Sequence, residues 1–180
     1  QVYDTASALA NLNLAACVDH NDSNWSFEEG SQGDGVNPPA DFEKGSADFD
    51  ATTTEGQAHG GSKACELTWT STSNQDFYQG MYVPVTPGKQ ITFQVYALDS
   101  DAGGKLRMAL DFYDTDRASL GAKQYGDYTE DGADWQLMSI TMEAPANAAF
   151  VRGFVRLYDV SEAWTGSSTV LIDDWAVSVQ

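Results

Sequence analysis

The chain has 180 residues, with 9 Lys and Arg against 27 Asp and Glu, for a formal charge of −18 at pH 7. Hydrophobic residues make up 42% and aromatic residues 12%, enough for a core, so the charge belongs to a solvated surface and disorder is excluded as the main state. A polyanion of this strength repels phosphate backbones and anionic lipids, and no stretch reaches the roughly 18 apolar residues of a spanning helix, so neither nucleic acid nor membrane is expected as a partner.

Along the chain, Gln1-Val2-Tyr3-Asp4 lacks a basic-then-apolar leader pattern and reads as the start of a processed segment. Residues 1–180 are expected to form one domain, with 1–23 as an irregular lead-in. Thr5–Ala16 reads as a short Ala/Leu helix or as irregular chain. Gly30–Gly61 reads as loops with one or two strands, and Pro38-Pro39 bars regular helix there. From Lys63 onward, short alternating runs of β-branched and aromatic residues are cut by Gly, Pro, Asp and Asn. They predict strands at Ala64–Thr70, Met81–Val85, Gln90–Leu98, Lys105–Asp114, Trp135–Met142, Ala148–Tyr158 and Ser168–Val179. Pro87-Gly88 and Asp101–Gly104 are the turns. Such a series predicts an all-β, two-sheet antiparallel sandwich. The two cysteines, Cys17 and Cys65, predict a disulfide worth roughly 3–4 kcal/mol, and with it an oxidising, extracellular location for a secreted protein; the alternative is two buried free thiols in a cytosolic protein.

Catalysis is disfavoured. Only two histidines are present, His20 and His59, and both read as turn residues. Two Cys and two His also make zinc an unpromising ligand. No Gly-x-Ser-x-Gly, phosphate-binding or dinucleotide glycine motif occurs, and neither do the Gln-x-His and Tyr-Phe-Lys runs of the common jelly-roll lyases. Among so many acids a chance carboxylate pair is certain, so such a pair says nothing about glycoside hydrolysis.

Period-two alternation sorts the strand residues by face. In Lys105–Asp114, Leu106, Met108, Leu110 and Phe112 alternate with Arg107, Ala109, Asp111 and Tyr113, which turns Arg107 and Tyr113 outward. In Ala148–Tyr158, Val151, Gly153, Val155 and Leu157 face the core, while Arg152, Phe154, Arg156 and Tyr158 face out. Gln90–Leu98 buries Ile91, Phe93 and Val95 and exposes Gln94 and Tyr96. Ala64–Thr70 buries Cys65, Leu67 and Trp69 and exposes Glu66. Trp69, Trp135 and Trp175 read as core, and Trp164 lies in the loop Ser161–Ser167.

Three segments carry a resemblance: Asn24-Trp25-Ser26-Phe27-Glu28-Glu29-Gly30, His59-Gly60-Gly61-Ser62-Lys63-Ala64, and Val170-Leu171-Ile172-Asp173-Asp174-Trp175. Between them lie Phe77-Tyr78-Gln79, Val83–Lys89, and Trp135-Gln136 running to Ala144-Pro145-Ala146. In this order the segments resemble the β-jelly-roll carbohydrate-binding modules of families 4, 9, 16 and 22, over residues 24–178. The resemblance implies a galactose-binding-like jelly roll whose concave sheet holds a sugar. It further implies a non-catalytic, monomeric module attached to the catalytic domain of a secreted polysaccharide-degrading enzyme.

The resemblance would place the four strands above in one sheet, with the Gln94/Tyr96 strand between those of Arg107 and of Arg152 and Arg156. The expected binding surface is then Arg107, Arg152, Arg156, Tyr96, Tyr113, Tyr158 and Gln94, bordered by Trp164. Guanidinium forks match carboxylates and tyrosine rings match sugar C–H faces, so the expected ligand is an acidic polysaccharide such as alginate or another polyuronate. Two alternatives stand beside it. If Arg107 pairs with Asp111 and Arg156 with Glu66, the tyrosines would instead stack on neutral β-glucan or xylan; or the sandwich is a structural adhesion module with no sugar site. The resemblance also implies a structural Ca2+ held by Glu28 and Asp173, with carbonyls near Ser62 and Lys63 and with Glu29 and Asp174 as supplements. Asp99–Gly103 imitates an EF-hand start, but Leu110 stands where the bidentate Glu belongs, so it reads as a turn.

Overall fold

A computed structural model describes residues 27–28, 38–39, 41–121, 123–159 and 161–180. Its strands are β1 (Phe42–Lys44), β2 (Phe49–Glu55), β3 (Lys63–Trp69), β4 (Gln75–Gln79), β5 (Val83–Pro84), β6 (Gln90–Leu98), β7 (Lys105–Tyr113), β8 (Gln124–Tyr128), β9 (Gln136–Glu143), β10 (Phe150–Tyr158) and β11 (Ser168–Val179). Sheet I has the order β1-β4-β10-β7-β8, with β5 also paired to β10; sheet II has the order β2-β3-β11-β6-β9. Every pairing is antiparallel. This is the two-sheet antiparallel sandwich the alternation predicts. The reading of Thr5–Ala16 and the positions of Cys17, His20 and Glu29 lie outside the described residues.

The core is the meeting of the two inner faces. From sheet I, Phe77, Leu106, Met108, Leu110, Phe112, Val151, Val155 and Leu157 pack against Cys65, Leu67, Trp69, Ile91, Phe93, Val95, Val170 and Ile172 of sheet II. The inner layer is tight enough that a Cβ on Gly153 would stand 3.2 Å from three atoms of the Phe93 ring. Cys65 is fully buried in this layer as a free thiol, so the bridge to Cys17 predicted from the cysteine count is not formed by the residue described. The inward parity of β3 is the reason: it points Cys65 at the opposite sheet, and burial, with Glu66 and Asp173 nearby, pushes its pKa up.

Two irregularities aim side chains. In β11 the register slips between Asp173 and Ala176, with Asp174 at φ 49°. The extra residue turns Trp175 inward, where it is 2% exposed and its Nε1 donates to Gln79 Oε1 at 2.9 Å. In β8, Tyr125 pairs with Ala109 but Tyr128 with Arg107, so three residues of β8 answer two of β7. That bulge puts Tyr125 and Tyr128 on the same outer face, which regular alternation would forbid.

Two strands, β4 and β8, escaped the alternation rule. β1 and β2 fall within the expected one or two strands of the 30–61 segment. β4 is concealed because Gln75 and Gln79 face inward beside Phe77, both buried. β8 is concealed by its bulge and by Gly126, which offers no side chain toward Met108. The strand expected at Met81–Val85 shrinks to Val83–Pro84, since Pro84 has no N–H to give a ladder.

Candidate ligand-binding face

Pairing within sheet I sets the rows of its outer face. β7 and β10 are direct neighbours, with Arg107 opposite Arg156, Ala109 opposite Phe154, Asp111 opposite Arg152 and Tyr113 opposite Phe150. β4 then sets Asp76 beside Arg156 and Tyr78 beside Phe154, and β1 sets Glu43 beside Tyr78. Arg107, Arg152, Arg156, Tyr113 and Tyr158 therefore do share one face, as their strand parity requires.

The expectation that the Gln94/Tyr96 strand lies between them is corrected. β6 belongs to sheet II, so Gln94 and Tyr96 point away from the opposite side of the sandwich. The Tyr96 ring is covered by His59, stacked at 3.5 Å. Trp164 also lies elsewhere, packed 6.4 Å from Trp69 at one end of the sandwich. Trp135, expected in the core, is partly exposed and meets His59 edge-on at 5.8 Å.

Sheet I carries several residues that the alternation of predicted strands missed. Tyr78, Tyr82, Tyr125 and Tyr128 stand partly exposed on its outer face, with Lys123 beside them. Tyr128 and Tyr158 stack at 6.1 Å and 20°. Phe154 is buried on this outer side beneath Tyr78 at 4.8 Å and Tyr125 at 6.0 Å. Their signal was the bulged β8 and the Gln-flanked β4.

The cations of the face are not equivalent. Arg156 binds Asp76 with two parallel hydrogen bonds, Nε to Oδ1 at 2.6 Å and Nη2 to Oδ2 at 2.8 Å. That fork raises its pKa against the opposing effect of burial. Arg152 donates from Nε to the Gln79 carbonyl at 2.7 Å and from Nη2 to Glu43 Oε2 at 2.6 Å. Burial works against its charge, but Glu43 outweighs burial and lifts its pKa. Lys123 approaches Asp111 at 3.4 Å, and Asp111 also accepts from the Tyr113 and Ser119 hydroxyls. Cross-strand salt bridges are thus present, but with partners other than those considered: Arg156 meets Asp76 rather than Glu66, and Asp111 takes Lys123 rather than Arg107.

Arg107 differs. Its guanidinium lies 4.1 Å from the Tyr125 ring centre and 4.9 Å from that of Tyr128. It has no carboxylate within ion-pair distance, and its buried Nε lacks a hydrogen-bond partner among the described residues. A donor fork held by two rings and left without an acceptor is chemically a receptor for an oxyanion.

The residues expected to hold calcium come together at the 59–63 loop. Glu28 accepts from the Ser62 and Lys63 amides at 2.6 and 2.7 Å and from the Ser62 hydroxyl at 2.7 Å. Burial opposes its charge, yet these donors lower its pKa. Asp173 accepts from the His59, Gly60 and Asp174 amides at 2.8, 3.0 and 2.8 Å; burial raises its pKa. Counted over the described residues, three donors per carboxylate leave each acid one open lone pair, on Glu28 Oε2 and Asp173 Oδ1. Carboxylate oxygens are the donor type that a hard cation takes. No cluster of three or more His, Cys, Asp or Glu suited to a metal occurs among the described residues.

No protein-family model matches the chain, and none of the curated proteins is similar to it in sequence. Solved structures do share its fold. The family 22 module and family 10 catalytic module of Clostridium thermocellum xylanase 10B, complexed with xylohexaose, align at TM-score 0.61 and 12% identity. The alignment covers 82% of this chain and only 27% of that protein. A cyclase from Fischerella sp. TAU aligns at TM-score 0.66 and 12% identity, covering 88% of this chain and 94% of the cyclase. The carbohydrate-binding module TmCBM61, in complex with beta-1,4-galactotriose, aligns at TM-score 0.56 and 13% identity over 88% and 97% of the two chains. At such identities the likeness is one of fold: a β-sandwich jelly roll of the kind used by carbohydrate-binding modules.

Proposed function

We propose that the outer face of sheet I binds an acidic polysaccharide, alginate or another polyuronate, and that the protein is a non-catalytic, secreted, monomeric module tethering an appended polysaccharide-degrading enzyme to that polymer. The observation that carries this reading is Arg107, a guanidinium clamped by Tyr125 and Tyr128 and, among the described residues, without a carboxylate of its own. A uronate carboxylate supplies the missing acceptor, and the tyrosine rings offer faces for sugar C–H groups. Tethering then raises the local concentration of substrate for the attached enzyme.

Calcium belongs to the same reading as a structural ion. Glu28 and Asp173, with carbonyls of Ser62 and Lys63, would hold it, and it would tie the segment around Phe27 to β11.

Titration of uronate oligosaccharides at rising salt tests the proposal. Affinity is expected to fall with ionic strength and to drop on Arg107→Ala, while Tyr96→Ala, on the other sheet, leaves it unchanged. Binding that survives Arg107→Ala at full strength removes the acidic ligand. The stacked pair Tyr128 and Tyr158 favours a second reading, a neutral β-glucan or xylan held by the rings alone; loss of binding on Tyr128→Ala but not on Arg107→Ala would select it.

A further inference from the structure

Tyr125, beside Ala109 in the register, and Tyr82, against Tyr113 and Phe150, stand apart on the sheet I face in the same kind of surroundings. The Tyr125 ring has Arg107 at 4.1 Å and Arg156 at 4.8 Å, and Arg156 is already paired with Asp76. The Tyr82 ring has Arg117 at 4.9 Å and Arg152 at 4.8 Å, and Arg152 is already paired with Glu43. Each tyrosine therefore carries one neutralised arginine and one whose guanidinium has no ion pair or hydrogen bond among the described residues. Arg117 also reaches the Phe150 ring at 5.8 Å, level with Tyr113 in the register.

Arg117 is placed there by its turn. Asp114 Oδ1 accepts from the Asp116 and Ala118 amides at 2.9 Å each, and the Arg117 amide donates to the Asp114 carbonyl at 3.1 Å. Arg117 itself adopts φ 61°, a left-handed conformation that a non-glycine residue holds only where its surroundings fix it. Ser119, bridged to Tyr113, closes the turn onto β7.

Arg107 and the level of Tyr113 are six residues apart on β7, about 20 Å at the rise of an extended strand. The other cations of the face, Lys123, Arg152 and Arg156, all have carboxylates. We infer that Arg107 and Arg117 are two end receptors for one extended polyanionic sugar chain lying along β7, a binding mode that rests on the glycan reading above. The class of ligand is an internal stretch of polyuronate long enough to present a carboxylate to each guanidinium. A disaccharide is too short to engage both at once.

The test is calorimetric titration of the wild-type chain, Arg107→Ala and Arg117→Asn with a uronate disaccharide and a hexasaccharide. Asn is chosen because it tolerates the left-handed backbone at position 117. The wild type is expected to take two disaccharides weakly but one hexasaccharide, the latter about tenfold tighter or more. Arg117→Asn is expected to take one disaccharide and to lose the gain with length, and a melting curve like that of the wild type would show its fold intact. Equal hexasaccharide affinity in wild type and Arg117→Asn overturns the two-receptor geometry and leaves the glycan reading standing. Failure of the wild type to bind any uronate oligosaccharide overturns both.

Discussion

Arg107 and Arg156 face each other across β7 and β10, and among the described residues the one carboxylate at hand, Asp76, is taken by Arg156. Like charges opposite one another on a sheet oppose folding, so Arg107 is retained at some expense to stability unless a ligand neutralises it. Arg107→Ala is accordingly expected to reduce uronate affinity by about tenfold or more, with a melting temperature unchanged or raised. Arg107→Lys should recover only part of the binding, because a point charge cannot reproduce the fork. Arg152→Ala should behave in the opposite way. Its guanidinium is 7% exposed and holds both the Gln79 carbonyl and Glu43, so its loss is expected to destabilise the fold by about 2 kcal/mol. Denaturant melts of the two variants check the contrast.

Asp99 is a second residue with a measurable signature. It is fully buried, its Oδ1 has no close hydrogen-bond partner among the described residues, and its Oδ2 accepts from the Thr129 hydroxyl. Burial pushes its pKa from 3.8 to about 6. The folded chain then holds a proton that the unfolded chain has released between those values, so this group contributes stability at low pH that is lost as pH rises toward 6 and beyond. Asp99→Asn, which keeps an acceptor for Thr129, is expected to stabilise the protein at pH 7 by on the order of 1–2 kcal/mol. At pH 4 it should have little effect; thermal melts at the two pH values decide.

At the scale of elements, the long strands were legible because their inward residues are apolar and regularly spaced. β6 and β11 keep their predicted limits, and β7 and β10 keep their predicted faces. Illegible elements share one physical cause, a broken period. Gln75 and Gln79 satisfy their amides inside β4, through the Ser46 and Trp175 donors among others, so polar residues occupy core positions. The β8 bulge moves Tyr128 onto the face of Tyr125. Sheet membership is set by pairing between distant segments, which alternation does not encode, and so Gln94 and Tyr96 were assigned to the wrong side.

Two predictions belong to this scale. Gly104 precedes β7 where a Cβ would collide with the Trp69 ring and Ser168, so Gly104→Ala is expected to destabilise by about 1–3 kcal/mol in a denaturant melt. If Ca2+ sits between Glu28 and Asp173, chelation is expected to lower the melting temperature of the wild type but not of Asp173→Ala; an unmoved melt would mean that the amide donors alone hold this loop.

For the whole molecule, net charge and local charge have opposite signs. On a chain of −18, the sheet I face gathers Arg107, Lys123, Arg152 and Arg156 around Glu43, Asp76 and Asp111. Acidity elsewhere repels a polyanion, so binding must be short-ranged and confined to this face. Composition revealed the charge and strand parity revealed that the arginines point outward. Which of them lack an acid depended on β4 and β8, the strands alternation did not find.

The most direct measurement is affinity electrophoresis in native gels cast with alginate, polygalacturonate, xylan or laminarin. The wild type is expected to be retarded in the two uronate gels, an effect relieved by Arg107→Ala and by added salt, and to migrate freely in xylan and laminarin. Retardation in xylan or laminarin alone, unchanged by Arg107→Ala, would contradict the acidic-ligand reading.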